Sequence, residues 1–316
     1  MPITELEVIA GLRILVAIVK ADGTVHGNER AALAAALEEA RLSEGRVTVD
    51  SLLAETVDLE GVLGAVEDPA ARDGIYKGAF AMAYADGSCT RNEQVLLDQV
   101  RETWKISDEQ AMFVARPFAE TTEWVLPSKV TPIEDPAARS KEIRHDVLKY
   151  ARMSGLLGAL GDAIATDLAI LAVQLKVVRD VAMVHGHRVR KTEARSLLLG
   201  LGLGGARMAM SNVIKLVRGS TSDAATSFAE TFALGKVMGS YFGEGAKADA
   251  AELAEDFEAA KDEGESAYAE HEGSLDALEA HHMARVRQLT AELNDGTLTL
   301  EEVARDLSAL DWTPSS

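Results

Sequence analysis

The chain has 316 residues, of which 47% are apolar and 5% aromatic, with a formal net charge of −19. That length buries a large core and leaves room for two domains, while the acidity excludes nucleic acid as the main partner, because phosphate binding needs a basic footprint. A single cysteine, Cys89, excludes an internal disulfide and fits a reducing compartment.

Ala and Leu are prominent and long segments lack strand-like alternation, so the expected fold class is all-α. The first residues, Met1-Pro2-Ile3-Thr4-Glu5, show no basic region followed by an apolar core. A cytoplasmic location is therefore expected. Charge is distributed unevenly. Arg139–Arg218 holds 14 Lys/Arg against 6 Asp/Glu, whereas Asp249–Glu279 holds 12 Asp/Glu against one lysine, Lys261.

The first predicted element is a buried helix over Glu5–Ala21, with Leu6, Ile9, Leu12, Leu15 and Ile18 at steps of three. Gly23 closes it, since glycine tolerates a left-handed backbone. A second helix is predicted over Asn28–Arg41. Helical spacing continues through Arg46–Val66. Pro69 starts a helix that carries Ile75, Phe80 and Met82, and another follows over Glu93–Trp104. Pro117, Pro127, Pro132 and Pro136 then crowd into twenty residues. Each removes a backbone donor and disfavours helix before it, so 116–140 reads as a linker. Beyond it, Lys141–Met153 and the Gly/Ala-rich run Gly155–Gly186 read as helical, as do Thr192–Val217 and Ser227–Gly243. The acidic tail from 246 carries helices near Leu275–Leu293 and Leu300–Leu310. The domains are thus 1–115, a linker 116–140, an apolar and basic helical block 141–245, and the tail 246–316.

Two stretches repeat. Sliding Ile14–Leu33 onto Gly78–Leu97 gives seven identities: Ala17/Ala81, Ala21/Ala85, Asp22/Asp86, Gly23/Gly87, Asn28/Asn92, Glu29/Glu93 and Leu33/Leu97. Each copy follows an apolar helical run and opens another helix. The Asp-Gly-x5-Glu spacing is that of the second half of an EF-hand loop. The first and third loop positions are Ile18 and Lys20 in one copy and Met82 and Tyr84 in the other, so neither is a complete calcium loop. One loop supplies two carboxylates and a juxtaposed pair supplies four, which with carbonyls and water approaches the six to eight oxygens calcium takes. The alternative is structural: Thr90-x-x-Glu93 is a capping box, and Asp295-Gly296 precedes a similar pattern near the C-terminus.

Both copies of the Ala-Asp-Gly-x5-Glu motif resemble the tellurite-resistance TerB-like family over the first 115 or so residues. The resemblance implies a pseudo-twofold all-helical domain. It also implies that Asp22, Glu29, Asp86 and Glu93 form acidic clusters for a divalent cation, calcium or similar. The implied role is a non-enzymatic one in stress or metal response, at the cytoplasmic face of the inner membrane. Further along, Gln174, Val177, Asp180, Ala182, His185 and Gly186, with Thr231–Val237 and Tyr241-Phe242-Gly243, resemble helical YcjF-like domains of unknown function. Such domains accompany GTPases or sit on membranes, and no functional residue carries over.

Leu156–Leu175 has the length of a membrane span but contains Asp162 and Asp167, which are costly at mid-bilayer. Surface contact through the basic turn Arg188, Arg190 and Lys191, with an anionic membrane or a membrane protein, is the expectation instead. The acidic tail is either a solvated face or docks on the basic block, within one chain or between subunits of a homo-oligomer. Gly200-x-Gly202-x-x-Gly205 lacks the strand of a dinucleotide fold. No Walker-type Gly-Lys-Ser/Thr occurs, and the histidines are too sparse for zinc. Three functional classes follow: a metal-responsive scaffold, an interaction module whose Asp-Gly loops only cap helices, and a hydrolase using the carboxylates with a metal, which no nucleophile or base supports.

Overall fold

The computed structural model describes residues 4–21, 47–83, 89–108, 110–111, 130–160, 163–201, 224–294 and 297–312, together with positions 23, 25, 30, 33, 34, 37 and 203. Every regular element among them is a helix, as composition led us to expect. The chain divides into two compact units, residues 1–119 with 202–221 and residues 120–201 with 222–316.

In the first unit, α1 (Glu5–Val19) is apolar nearly all round. A helix of that kind is stable only when enclosed. Leu12, Ile14, Leu15, Val16 and Ile18 are buried, and α2 (Val49–Ala54), α3 (Leu59–Gly64), α4 (Pro69–Ala83) and α5 (Arg91–Trp104) pack around it. The helical spacing of Arg46–Val66 resolves into two short helices. Glu55 turns extended at the end of α2, and Asp58 caps α3 by accepting from the Gly61 N–H. The Trp104 indole N–H donates to the Leu63 carbonyl at 3.0 Å and fastens α5 to α3. The predicted stripe of α1 is corrected at its start: Leu6 is 74% exposed and Glu7 is buried. The Glu7 carboxylate accepts four bonds. Thr4 N–H and Oγ1–H donate to Oε2, and the Glu67 and Asp68 N–H groups donate to Oε1, all at 2.9–3.1 Å. The helix expected over Asn28–Arg41 falls mostly outside the described residues.

The second unit is built on α6 (Pro136–Gly158), α7 (Ala163–Val184), α8 (Lys191–Gly200), α9 (Ala224–Gly243), α10 (Ala250–Asn294) and α11 (Leu300–Ala309). α6 starts at Pro136 rather than Lys141, because Asp135 caps it and proline suits the first helical turn. α9 is central and packs on α6, α7 and α10. Glycines set these distances. A Cβ on Gly235 would lie 2.3 Å from Val147 Cγ2, and one on Gly264 would lie 2.7 Å from the Ala229 carbonyl oxygen. Ala151, Phe228 and Leu275 form a shared core, with Tyr268 edge-on to Phe228.

The acidic tail is corrected from two helices to a continuous 45-residue α10 followed by α11. Leu253, Phe257, Ala260, Gly264, Tyr268, His271, Leu275, Leu278, His282, Val286, Leu289 and Leu293 line one face of it and are buried or half-buried. They advance by about 3.6 residues per step, the period of a straight helix. α10 therefore docks through one apolar stripe and turns its carboxylates outward. The stretch Leu156–Leu175 is interrupted, since α6 ends at Gly158 and α7 begins at Ala163. Among the described residues no helix is long and apolar enough to cross a membrane.

Candidate functional site

The first motif loop leaves α1 at Lys20. Its ammonium donates to the Leu53 and Glu55 carbonyls, each at 2.8 Å, and ties the loop entrance to the end of α2. Gly23 follows with φ +85°, the left-handed conformation expected there, and its N–H returns to the Lys20 carbonyl at 3.0 Å. The second loop leaves α4 after Ala83 and re-enters helix at α5. Thr90 caps α5: its hydroxyl accepts from the Glu93 N–H at 3.3 Å, while Glu93 Oε2 accepts from the Thr90 N–H at 2.7 Å. The capping box read from Thr90-x-x-Glu93 is therefore formed. Another, Thr299 with Glu302, opens α11.

The end of α1 and the start of α5 adjoin. The Asn92 side-chain amide donates to the Ala21 carbonyl at 3.0 Å, across 71 residues of sequence. Asn92 is one of the repeated positions, paired with Asn28, yet the repeat alone gives it no role. This bond joins the end of α1 to the start of α5. Of the four expected ligands, Glu93 is described, whereas Asp22, Glu29 and Asp86 lie outside the described residues. Among the described residues, no three His, Cys, Asp or Glu side chains group closely enough to hold a metal ion.

A carboxylate offers about four acceptor positions, and the cap is made through one oxygen of Glu93. Capping and coordination are thus compatible on the same side chain. The donors of the motif are all oxygens, which matches calcium, magnesium or manganese rather than a thiophilic ion. Cys89, next to the cap, directs its sulfur toward the Thr90 carbonyl and the Gln94 side-chain oxygen.

Residues 6–114 match the family described as tellurite resistance protein TerB. The N-terminal domain is TerB-like. No curated protein and no solved structure gives a significant match to the chain. The match spans the TerB-like domain, including both motif loops, and leaves the second unit unassigned.

The basic turn expected to contact a membrane or partner lies in the second unit, between α7 and α8. Arg188 is exposed there. Arg190 is exposed but engaged: its Nε–H and Nη2–H both donate to Glu193 Oε1, at 2.9 and 2.7 Å. Glu193 Oε2 accepts the Arg190 backbone N–H, and the backbone and side-chain bonds from Arg190 hold the carboxyl below its ordinary pKa of 4.5. The Lys191 side chain lies outside the described residues. A buried polar group that sequence reasoning missed sits between α6 and α7. Asp180, 1% exposed, accepts from the Tyr150 hydroxyl and from Lys176 Nζ at 2.6 Å. In the sequence Asp180 stands in the YcjF-like pattern and at i,i+4 from Lys176, and neither gave it this role.

Proposed function

We propose that the TerB-like domain is a non-enzymatic, divalent-cation-responsive module. The ion is held between the two Asp-Gly loops by Asp22, Glu29, Asp86 and Glu93. The observation that supports this is the Asn92–Ala21 bond, which draws together loops that would each be deficient in ligands alone. The second unit then serves as the output surface of a tellurite-resistance or stress-type scaffold on the cytoplasmic membrane face. Arg188 and its neighbours in the basic turn supply contact with anionic lipid, in the manner of other juxtamembrane cations.

Calorimetric titration of the full chain with Ca²⁺, Mg²⁺ and Mn²⁺ tests the cation reading, with Asp22→Asn/Asp86→Asn and Glu93→Gln alongside. Glutamine still completes a capping box but brings no charge. Glu93→Gln should therefore melt like the parent while its affinity falls at least about tenfold, or ~1.4 kcal/mol. No binding heat from the parent, or equal affinity in all three chains, would leave the loops as helix caps and favour the interaction-module reading. For the membrane role, flotation on anionic vesicles at low salt is expected to weaken in Arg188→Glu. Absence of flotation at low salt removes that role.

A further inference from the structure

We propose that Arg152 and His282 form a binding site for an oxyanion, of phosphate or carboxylate type, which the chain's own segment Leu310–Trp312 closes in the state described. The argument rests wholly on the second unit and is independent of the Asp-Gly loops.

Arg152 lies on α6 and is 8% exposed. A guanidinium carries five N–H donors and a charge that burial penalises unless both are matched. Here Nη1–H donates to the Trp312 carbonyl at 3.2 Å, and the buried Nε–H meets no acceptor. Among the described residues no carboxylate pairs with it. The neighbouring titratable group is His271 on α10, whose pKa burial and the Arg152 charge lower. A carbonyl dipole thus answers one donor and leaves the cation uncompensated.

His282, on α10 and 6% exposed, grips the next carbonyl back along the chain. Its Nε2 stands 2.6 Å from the Asp311 carbonyl oxygen. A carbonyl only accepts, so Nε2 bears the proton. Two buried donors from two helices therefore converge on consecutive carbonyl oxygens of one strap. The strap enters extended at Leu310, with φ −68° and ψ 152°. It is closed by Trp312, whose indole lies 5.4 Å from the His282 ring and donates to the Leu307 carbonyl at 2.7 Å. The carbonyl oxygens occupy the positions that oxyanion oxygens would take. An oxyanion adds the missing negative charge and an acceptor for Nε–H, which is the pairing arginine forms best. Swinging Trp312 outward vacates the volume of its indole.

The test uses the full chain grown with 5-fluorotryptophan, so that each of its three tryptophans gives a ¹⁹F resonance. Trp312→Phe assigns the third. Sodium phosphate and sodium acetate are titrated separately against sodium chloride at matched ionic strength. The expected result is a saturable shift of the Trp312 resonance with either oxyanion but not with chloride. Loosening the latch by Trp312→Ala, read on the His271 ring proton signals, should tighten binding about tenfold or more, because the competing closed state is lost. Arg152→Lys keeps a charge but not the fork and should bind about tenfold more weakly. If neither the parent nor Trp312→Ala responds to either oxyanion up to roughly 50 mM, beyond the range of a specific site, the proposal fails. Arg152 and His282 then serve only to fasten the C-terminal strap. The comparison of parent with Trp312→Ala stands even if the Arg152 variant does not fold.

Discussion

Glu7 shows how one residue overrides a pattern. Hydrophobic spacing placed Leu6 in the core of α1, but the structure exposes Leu6 and buries the carboxylate beside it. Four donated hydrogen bonds, three of them from backbone N–H groups, outweigh the burial of one leucine face. Those bonds, led by that from the Thr4 backbone, lower the Glu7 pKa from 4.5 to about 2. The folded chain therefore stays ionised where the unfolded chain takes up a proton. The stabilisation is complete above pH 4.5 and is lost as pH falls through about 2. We expect Glu7→Gln to cost on the order of 2 kcal/mol at neutral pH, since it leaves charge-assisted donors poorly met. The gap between the two chains in urea melts should narrow steadily below pH 4.5. A constant gap down to pH 2.5 or so would mean that the carboxylate charge is irrelevant. Only half of this role is local in the sequence. The Thr4-x-x-Glu7 box is visible, but the Glu67 and Asp68 donors come from 60 residues away. By contrast Thr90-x-x-Glu93 was legible, because both halves of its box lie within one turn.

At the scale of elements, helix type and order were legible, because periodicity of 3.6 is a local signal. Lengths were not. The acidity of Asp249–Glu279 masked the apolar stripe that makes α10 one helix, since one buried residue per turn is outnumbered by exposed carboxylates. Close helix packing is provided by Gly155, Gly235 and Gly264. Gly264 and Gly273 of α10 separate packing from propensity. In both, alanine gains helix propensity of ~1 kcal/mol. A methyl on Gly264 would sit 2.7–3.1 Å from Ala229 backbone atoms, which have no rotamer to change, whereas one on Gly273 meets nothing within 4 Å. Overpacking costs of about 1–3 kcal/mol exceed the propensity gain. Gly264→Ala should therefore lower the melting temperature, and Gly273→Ala should hold or raise it. Equal and positive shifts would show that α9 and α10 are free to separate.

For the whole molecule, the division into two compact units gives each its own response to acid. In the second unit burial, with Arg139 and His187, lowers the pKa of His185 from 6.5; burial, with Arg152, does the same for His271. Each imidazole holds a proton less tightly when folded, so the unfolded chain binds protons first as pH falls. Stability of that unit is full above pH 6.5 and declines as pH falls below it. Asp146 acts in the opposite sense: burial and the Asp180 charge raise its pKa above 3.8, so its protonation relieves a cost. That relief arrives only as pH reaches its folded value. Among the described residues of the first unit the resolved shift belongs to Glu7 and begins to matter below 4.5. Between these limits the second unit alone should weaken. Amide exchange followed by mass spectrometry at about pH 7 and about pH 5.5, corrected for intrinsic rates, should show protection falling in α7, α9 and α10 while α1 and α4 keep theirs. His185→Asn should shrink the difference. Equal loss in both units would mean that they open as one cooperative body, and no loss in either would mean that the two histidines already titrate normally in the fold.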